Sequence, residues 1–268
     1  MANEIISVGA AVTASFPTTT SSPAPQGKTD NATTKPPLPP VTRGSSDDYL
    51  VRASLATARA STDYAFTILL EKEKISHATS VPISDVVIED ATVVENARVA
   101  ALARLRKKVA WGSFVVEAGG FAAISCWEPR SILDDEYTSG QQALVESIRT
   151  SRPLFAAFLE EEDELRRRHL EPAVRRMRPA DGRFWNMSLV ARDPTVPYVP
   201  GAVRAVIAPL MDEFCSGDTE GGAVPIWLVA GGQKARDMYE HFGFRDVGCL
   251  HIAGLPLWAM LYTAGLDE

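Results

Sequence analysis

Only three cysteines, Cys126, Cys215 and Cys249, occur in 268 residues. They are odd in number, widely spaced and never in a CxxC pair, and the chain has only four histidines. Neither a disulfide framework nor a metal site is indicated, and a reducing, cytoplasmic compartment is expected. Long apolar runs are also missing: nothing approaches the ~20 residues that span a bilayer, so no membrane partner is expected. The start, Met1-Ala2-Asn3-Glu4, has no basic segment ahead of an apolar one, which argues against a secretory signal. Basic charge is short as well. Lys and Arg total 27 against 34 Asp and Glu, for a net charge of −7 and a pI near 5.3. That balance excludes a sequence-independent grip on nucleic acid phosphates.

What is present suffices for a core, since 46% of residues are apolar. The length allows one large domain or two small ones. Residues 14–47 are rich in Ser, Thr and Pro and nearly free of large apolar side chains. Such a stretch cannot offset its ordering entropy by burial. Residues 1–46 are therefore expected to be a disordered tail and 47–268 a folded domain. Within the tail, Pro36-Pro37-Leu38-Pro39-Pro40 reads as a passive linker or as a polyproline-II ligand.

The patterning then predicts a helix over 48–70 with a solvated end at 71–74, and a second helix over 93–108. Strands over 110–117 and 121–127 flank the turn Ala118-Gly119-Gly120, and Pro129 should stop the second. A long helical segment, 139–177, carries a run of acids followed by Arg166-Arg167-Arg168, which reads as a solvated face of i, i+4 pairs. A strand over 184–191 ends at Asp193-Pro194, and a helix follows over 203–214. All five tryptophans fall on predicted strands.

The stretch 225–244 is the most informative. The apolar run 226–230 suits a buried strand, and Gly231-Gly232 breaks it. Ala235, Met238, Tyr239 and Phe242 then form the apolar face of a helix. Gly243 sits where a left-handed cap belongs, with Phe244 as the apolar contact beyond it. Strands over 247–252 and 255–262 close the chain. The order is α/β, a single domain with a mixed central sheet flanked by helices.

The run Tyr239-Glu240-His241-Phe242-Gly243-Phe244, between two strands and followed by the closing strand from Leu255 to Tyr262, resembles the C-terminal half of the GCN5-related N-acetyltransferase (GNAT) superfamily. Cys126-Trp127-Glu128-Pro129 is similar to the Trp-x-Pro that ends a strand in fungal members. The resemblance spans roughly residues 48–264. It implies a GNAT-like sheet whose central strand and the strand 226–230 splay apart. Backbone groups of Leu189, Val190 and Ala191 would then pair with the pantetheine arm of acetyl-CoA or another acyl-CoA. It further implies that Tyr239 protonates the departing thiolate; the alternative is a Tyr that packs in the core. For the base, the family uses a carboxylate or a water relayed by one. Glu128 and Asp134 are the nearest carboxylates, with an exposed structural role as the alternative; His241 and His251 are further candidate bases, although His241 lies on the polar side of its helix, which favours a surface role.

The resemblance implies a pyrophosphate loop at residues 198–204, and there the sequence departs from it. Gly201 alone matches a family glycine, and Tyr198, Val199 and Val203 replace polar or small residues. Pro200 has no N–H. Gly201, Ala202 and Val203 keep their amides, and Arg204 can supply charge. Losing one or two charge-assisted bonds at ~1.5–3 kcal/mol each weakens binding ~10–10⁴-fold. Gly232 also stands where the family often places Asn or Ser. The expected function is acyl-CoA-dependent N- or O-acyl transfer to a small-molecule acceptor. The alternatives are the same fold turned to cyclisation, condensation or decarboxylation, or a non-catalytic binding module.

Overall fold

The computed structural model describes residues 37–177, 179–215 and 222–263, and the expected tail before residue 37 lies outside them. The folded unit starts earlier than composition suggests. β1 (Val41–Gly44) pairs antiparallel with β2 (Phe114–Ala118), Val41 opposite Ala118. Its hold is cross-strand and therefore invisible to composition. Thr42 Oγ1 donates to Glu117 Oε1 at 2.6 Å, and the Arg43 guanidinium lies 4.7 Å from the Phe114 ring centre.

The remaining strands are β3 (Ala123–Ser131), β4 (Arg183–Arg192), β5 (Ile226–Ala230), β6 (Arg245–Ile252) and β7 (Leu255–Tyr262). Among the described residues these seven strands make one sheet, ordered β1-β2-β3-β4-β5-β7-β6. All neighbours are antiparallel except β4 and β5. Helices cover both faces, so the fold is the mixed α/β sheet anticipated. On one face lie α7 (Ala202–Ala205), α8 (Ala208–Cys215) and α9 (Gln233–His241), with Ile207, Leu210 and Phe214 packed on Trp127, Met187 and Leu228. The other face carries α1 (Asp47–Ala60) and α3 (Asp90–Ala110) over β2 to β4. Beside them α2 (Ala65–Thr79) and α5 (Pro153–Leu165) cover β5 to β7, with Phe66, Phe155 and Phe158 against Trp227 and Leu257. β5 is buried on both sides: Ile226, Leu228 and Ala230 enter the first core, Trp227 and Val229 the second.

The end of α9 follows its residues closely. Gly243 has φ +88°, Phe244 N–H donates to Tyr239 O and Gly243 N–H to Glu240 O, which is a Schellman cap.

Elsewhere local rules lost to tertiary ones. The predicted helix over 48–70 is two, parted at residues 61–64. Ser61 Oγ donates to Thr57 O and Thr62 Oγ1 to Arg59 O, so side chains compete with the helix ladder. α2 then runs on through the stretch expected to be a solvated end, and Glu71 and Glu73 are buried. The segment 139–177 is broken by Pro153, which opens α5. α4 (Asp135–Ile148) precedes it, and a π turn at Arg166–Leu170 leads into α6 (Glu171–Met177). Pro129 does not stop β3 but sits opposite Trp185. The β2 ladder ends at Trp127, so the missing N–H falls on a free edge. Trp111 is not on a strand. It caps α3, 59% exposed, with Lys107 Nζ 4.6 Å from its ring centre.

No helix among the described residues is long and apolar enough to cross a membrane.

Candidate functional site

The parallel pair at the centre of the sheet is barely a pair. β4 and β5 are in register only at Trp185–Ile226 and Asn186–Trp227. Beyond Trp227 the strands part. β5 soon ends at Ala230, ahead of Gly231-Gly232, while β4 continues with a bulge: Cys126 faces Leu189 but Trp127 faces Met187, so Ser188 is the extra residue. A bulge bends its strand. Leu189, Val190 and Ala191 then pair with β3 alone, and their edge toward β5 is open. This is the splay that the sequence resemblance implied, and Ser188 is the feature it did not reveal.

Two phenols approach each other by the end of β5 from opposite faces of the sheet. Tyr239, on the buried stripe of α9, is 0% exposed and packs edge-on against Phe244, with ring centres 5.7 Å apart. Tyr64, at the N-terminus of α2, belongs to the core on the other side. The two meet at the level of the sheet: burial first, and then the Tyr64 phenol, raise the Tyr239 pKa well above its ordinary 10.0. Burial also raises that of Tyr64. Gly231 makes this approach possible, because a Cβ there would sit 1.7 Å from the Tyr64 hydroxyl oxygen. Neither hydroxyl has a hydrogen-bond partner. Buried polar groups are nearly always satisfied, so two orphans in one gap mark a place built for another molecule. Gly232, next along, faces open space.

Glu128 is not the exposed carboxylate anticipated as the alternative to a base. It is wholly buried and held by the Lys108 ammonium and the Arg130 guanidinium, the latter at 2.5 Å. Burial pushes its pKa up, but the two cations outweigh that and bring it below the ordinary 4.5. A carboxylate so stabilised is a poor proton acceptor. It fixes Lys108 and the end of β3 instead. Asp134 lies in the turn after β3, and His241 and His251 are exposed on α9 and β6, away from the gap.

At the far end of β4, Asp193 is buried. Its Oδ1 accepts from Thr195 N–H and Oγ1–H, and its Oδ2 meets Arg59 at 3.0 Å, tying α1 to the loop. The loop then turns through Gly201 in the left-handed region, φ +79°. One of its donors is spent and another is missing. Ala202 is buried and its N–H donates to Val199 O at 3.2 Å, while Pro200 has none to give. Leu38 and Pro39 lie against Gly201, within 3.3 and 3.5 Å of where its Cβ would be. Val203 is half-buried in the same core, and Arg204 is exposed. Tyr198 is 62% exposed, with the Arg192 guanidinium 5.6 Å from its ring centre.

Two small cavities that share Arg104 lie on the face of α1 and α3, and one of them reaches β4 at Ser188 and Leu189. One is lined by Thr57, Ala101, Arg104, Lys108, Ser188 and Leu189. The other lies between α2 and α3, with Ser61, Leu70, Glu71, Lys74, Arg104 and Arg152 in its wall. Ser188 Oγ is buried without a partner. Nothing local marks Tyr64 or Arg104 in the chain, since a Tyr after Ser-Thr-Asp and an Arg in a basic helix end read as ordinary.

No family model matches the chain, and no curated protein matches it. The site is therefore read from its own geometry.

Proposed function

We propose that the chain is an acyl-CoA-dependent N- or O-acyltransferase of the GNAT type, acting on a small-molecule acceptor. The observation that carries this is the splay of β4 from β5, with two buried orphan phenol hydroxyls by the end of β5. Acyl-CoA supplies an activated thioester, and the residues of the gap fit that end of it. The open edge of Leu189, Val190 and Ala191 offers backbone groups to an amide-bearing arm and donors to a carbonyl oxygen as its charge grows. The acceptor's lone pair would form the new bond to the acyl carbon as the carbon–sulfur bond breaks, with the sulfur leaving as a thiolate and the acceptor's proton passing to water. Tyr239, protonated throughout the neutral range, donates a hydrogen bond to the departing sulfur. Tyr64, on the acceptor side, orients the incoming nucleophile by the same means. Glu128 acts as a positioning residue and not as the base.

The fit is poorer at the pyrophosphate end, where Ala202 N–H is internally bonded and Pro200 lacks one. This favours a second reading, in which the same gap serves a substrate without a pyrophosphate. Calorimetric titration with acetyl-CoA, followed by assay of thiol release with small amines, separates the two. Weak saturable heat, with release that depends on an amine, is expected. Micromolar binding would show that the loop is not impaired. No binding even after Val199, Pro200 and Val203 are all replaced by Gly would remove the transferase reading.

A further inference from the structure

Arg104 stands apart from the other cations of the two polar cavities. Lys108 pairs with Glu128, Lys74 with Glu71 at 2.5 Å, and Arg152 with Glu73 at 3.7 Å. Arg104 alone, among the described residues that line these cavities, has a cationic side chain with no ion pair and no hydrogen bond. It lines both. Ala97, Ala101, Arg104 and Lys108 recur at spacings of four, three and four, so the half-buried Arg104 shares the face of α3 that carries the buried Ala97, Ala101 and Lys108. Burial lowers its pKa to about 10, Glu71 opposes that from a distance and Arg152 adds to it.

A half-buried cation with no counter-charge in contact is costly unless a ligand supplies the charge. The other donors present are few. Thr57 Oγ1 and Ser61 Oγ give their protons to the helix carbonyls of Ala53 and Thr57. Ser188 Oγ is buried with no partner in full hydrogen-bond geometry, lies beside the Glu128 carboxylate and the Cys126 thiol, and lines the same cavity as Arg104. A guanidinium edge with one hydroxyl beside it matches a planar two-oxygen anion. Ser188 also immediately precedes Leu189, so an anion held there lies a few bonds from the gap.

We propose that the cavity between α1, α3 and β4 binds a carboxylate, held by Arg104 and Ser188, and that the acceptor is a small molecule bearing that carboxylate a few bonds from its nucleophile. Naming the ligand an acceptor rests on the transferase reading; the anion site does not.

The test is the thermal midpoint of the full chain in sodium acetate, sodium phosphate and sodium chloride at one ionic strength, without acyl-CoA. Acetate is expected to raise the midpoint saturably, and phosphate no more than chloride. Arg104→Gln should abolish the acetate response while melting no lower than the parent in chloride, because it removes an unpaired cation. Arg104→Lys, which keeps the charge but loses the fork, should reduce the response. A flat acetate response in the parent, an equal one in Arg104→Gln, a phosphate effect exceeding acetate, or a markedly lower chloride midpoint in Arg104→Gln would each overturn the assignment. Acetate binding without acetyl-CoA binding would leave the carboxylate site standing and remove only the transferase reading. The converse would remove the carboxylate site alone.

Discussion

The two ends of the β4 crevice are built on opposite terms. At the splay, polar groups are left over: the open edge of Leu189, Val190 and Ala191, the hydroxyls of Tyr64 and Tyr239, and Ser188 Oγ. At the loop after Asp193 fewer are left: Ala202 N–H is bonded within the loop, Pro200 has none, and Leu38 lies against Gly201. Unsatisfied groups cost stability and satisfied ones contribute to it. The splay therefore reads as a region kept for a ligand, and the loop as one settled into its own fold.

Breaking the hinge of the splay should have the largest effect. Trp227 is 1% exposed, forms the last β4–β5 pair with Asn186, and donates Nε1–H to Glu162 Oε1 at 2.9 Å. Trp227→Ala should cost ~3–5 kcal/mol in denaturant unfolding. A loss under ~1 kcal/mol, the scale of surface changes, would mean the strands do not part there.

Glu128→Gln removes the buried negative charge that faces Lys108 and Arg130 and should cost ~3–5 kcal/mol at neutral pH. Because the folded-state pKa lies below 4.5, the stabilisation from Glu128 is complete above that value and fades as pH falls through the folded pKa. Unfolding measured from pH 7 downward should show the parent losing its advantage over Glu128→Gln only in that acid window.

Opening the loop should act on binding more than on folding. Gly at positions 199, 200 and 203 together should tighten acetyl-CoA by ~1–3 kcal/mol in calorimetry, through restored donors. No gain would mean the loop is not where the phosphates lie.

The smallest effect on stability is expected at the phenols. Tyr239→Phe removes a buried hydroxyl that bonds to nothing, so the unfolding free energy should hold or rise by up to ~1 kcal/mol. Turnover should nevertheless fall ~10²-fold, the reach of a positioned proton donor. A stability loss with unchanged turnover would make Tyr239 a packing residue.

The sequence revealed most where local chemistry decides. Gly243-Phe244 is both a cap signal and a cap, and the run 226–230 is apolar because both of its faces are buried. It misled where partners are distant. Val41–Gly44 is polar yet joins the sheet through Glu117 and Phe114, and Glu73 is buried because it accepts from Leu154 N–H. At the site, Tyr239 was legible from its motif. Tyr64 was not, because only the tertiary approach to Gly231 gives it meaning.

The claim that the open edge of β4 receives a thioester arm is tested most directly by amide hydrogen exchange with and without millimolar acetyl-CoA. Exchange should slow within residues 189–191 and stay unchanged along the β6–β7 hairpin. Unchanged exchange at 189–191 under saturating ligand, or protection confined to other strands, would contradict it.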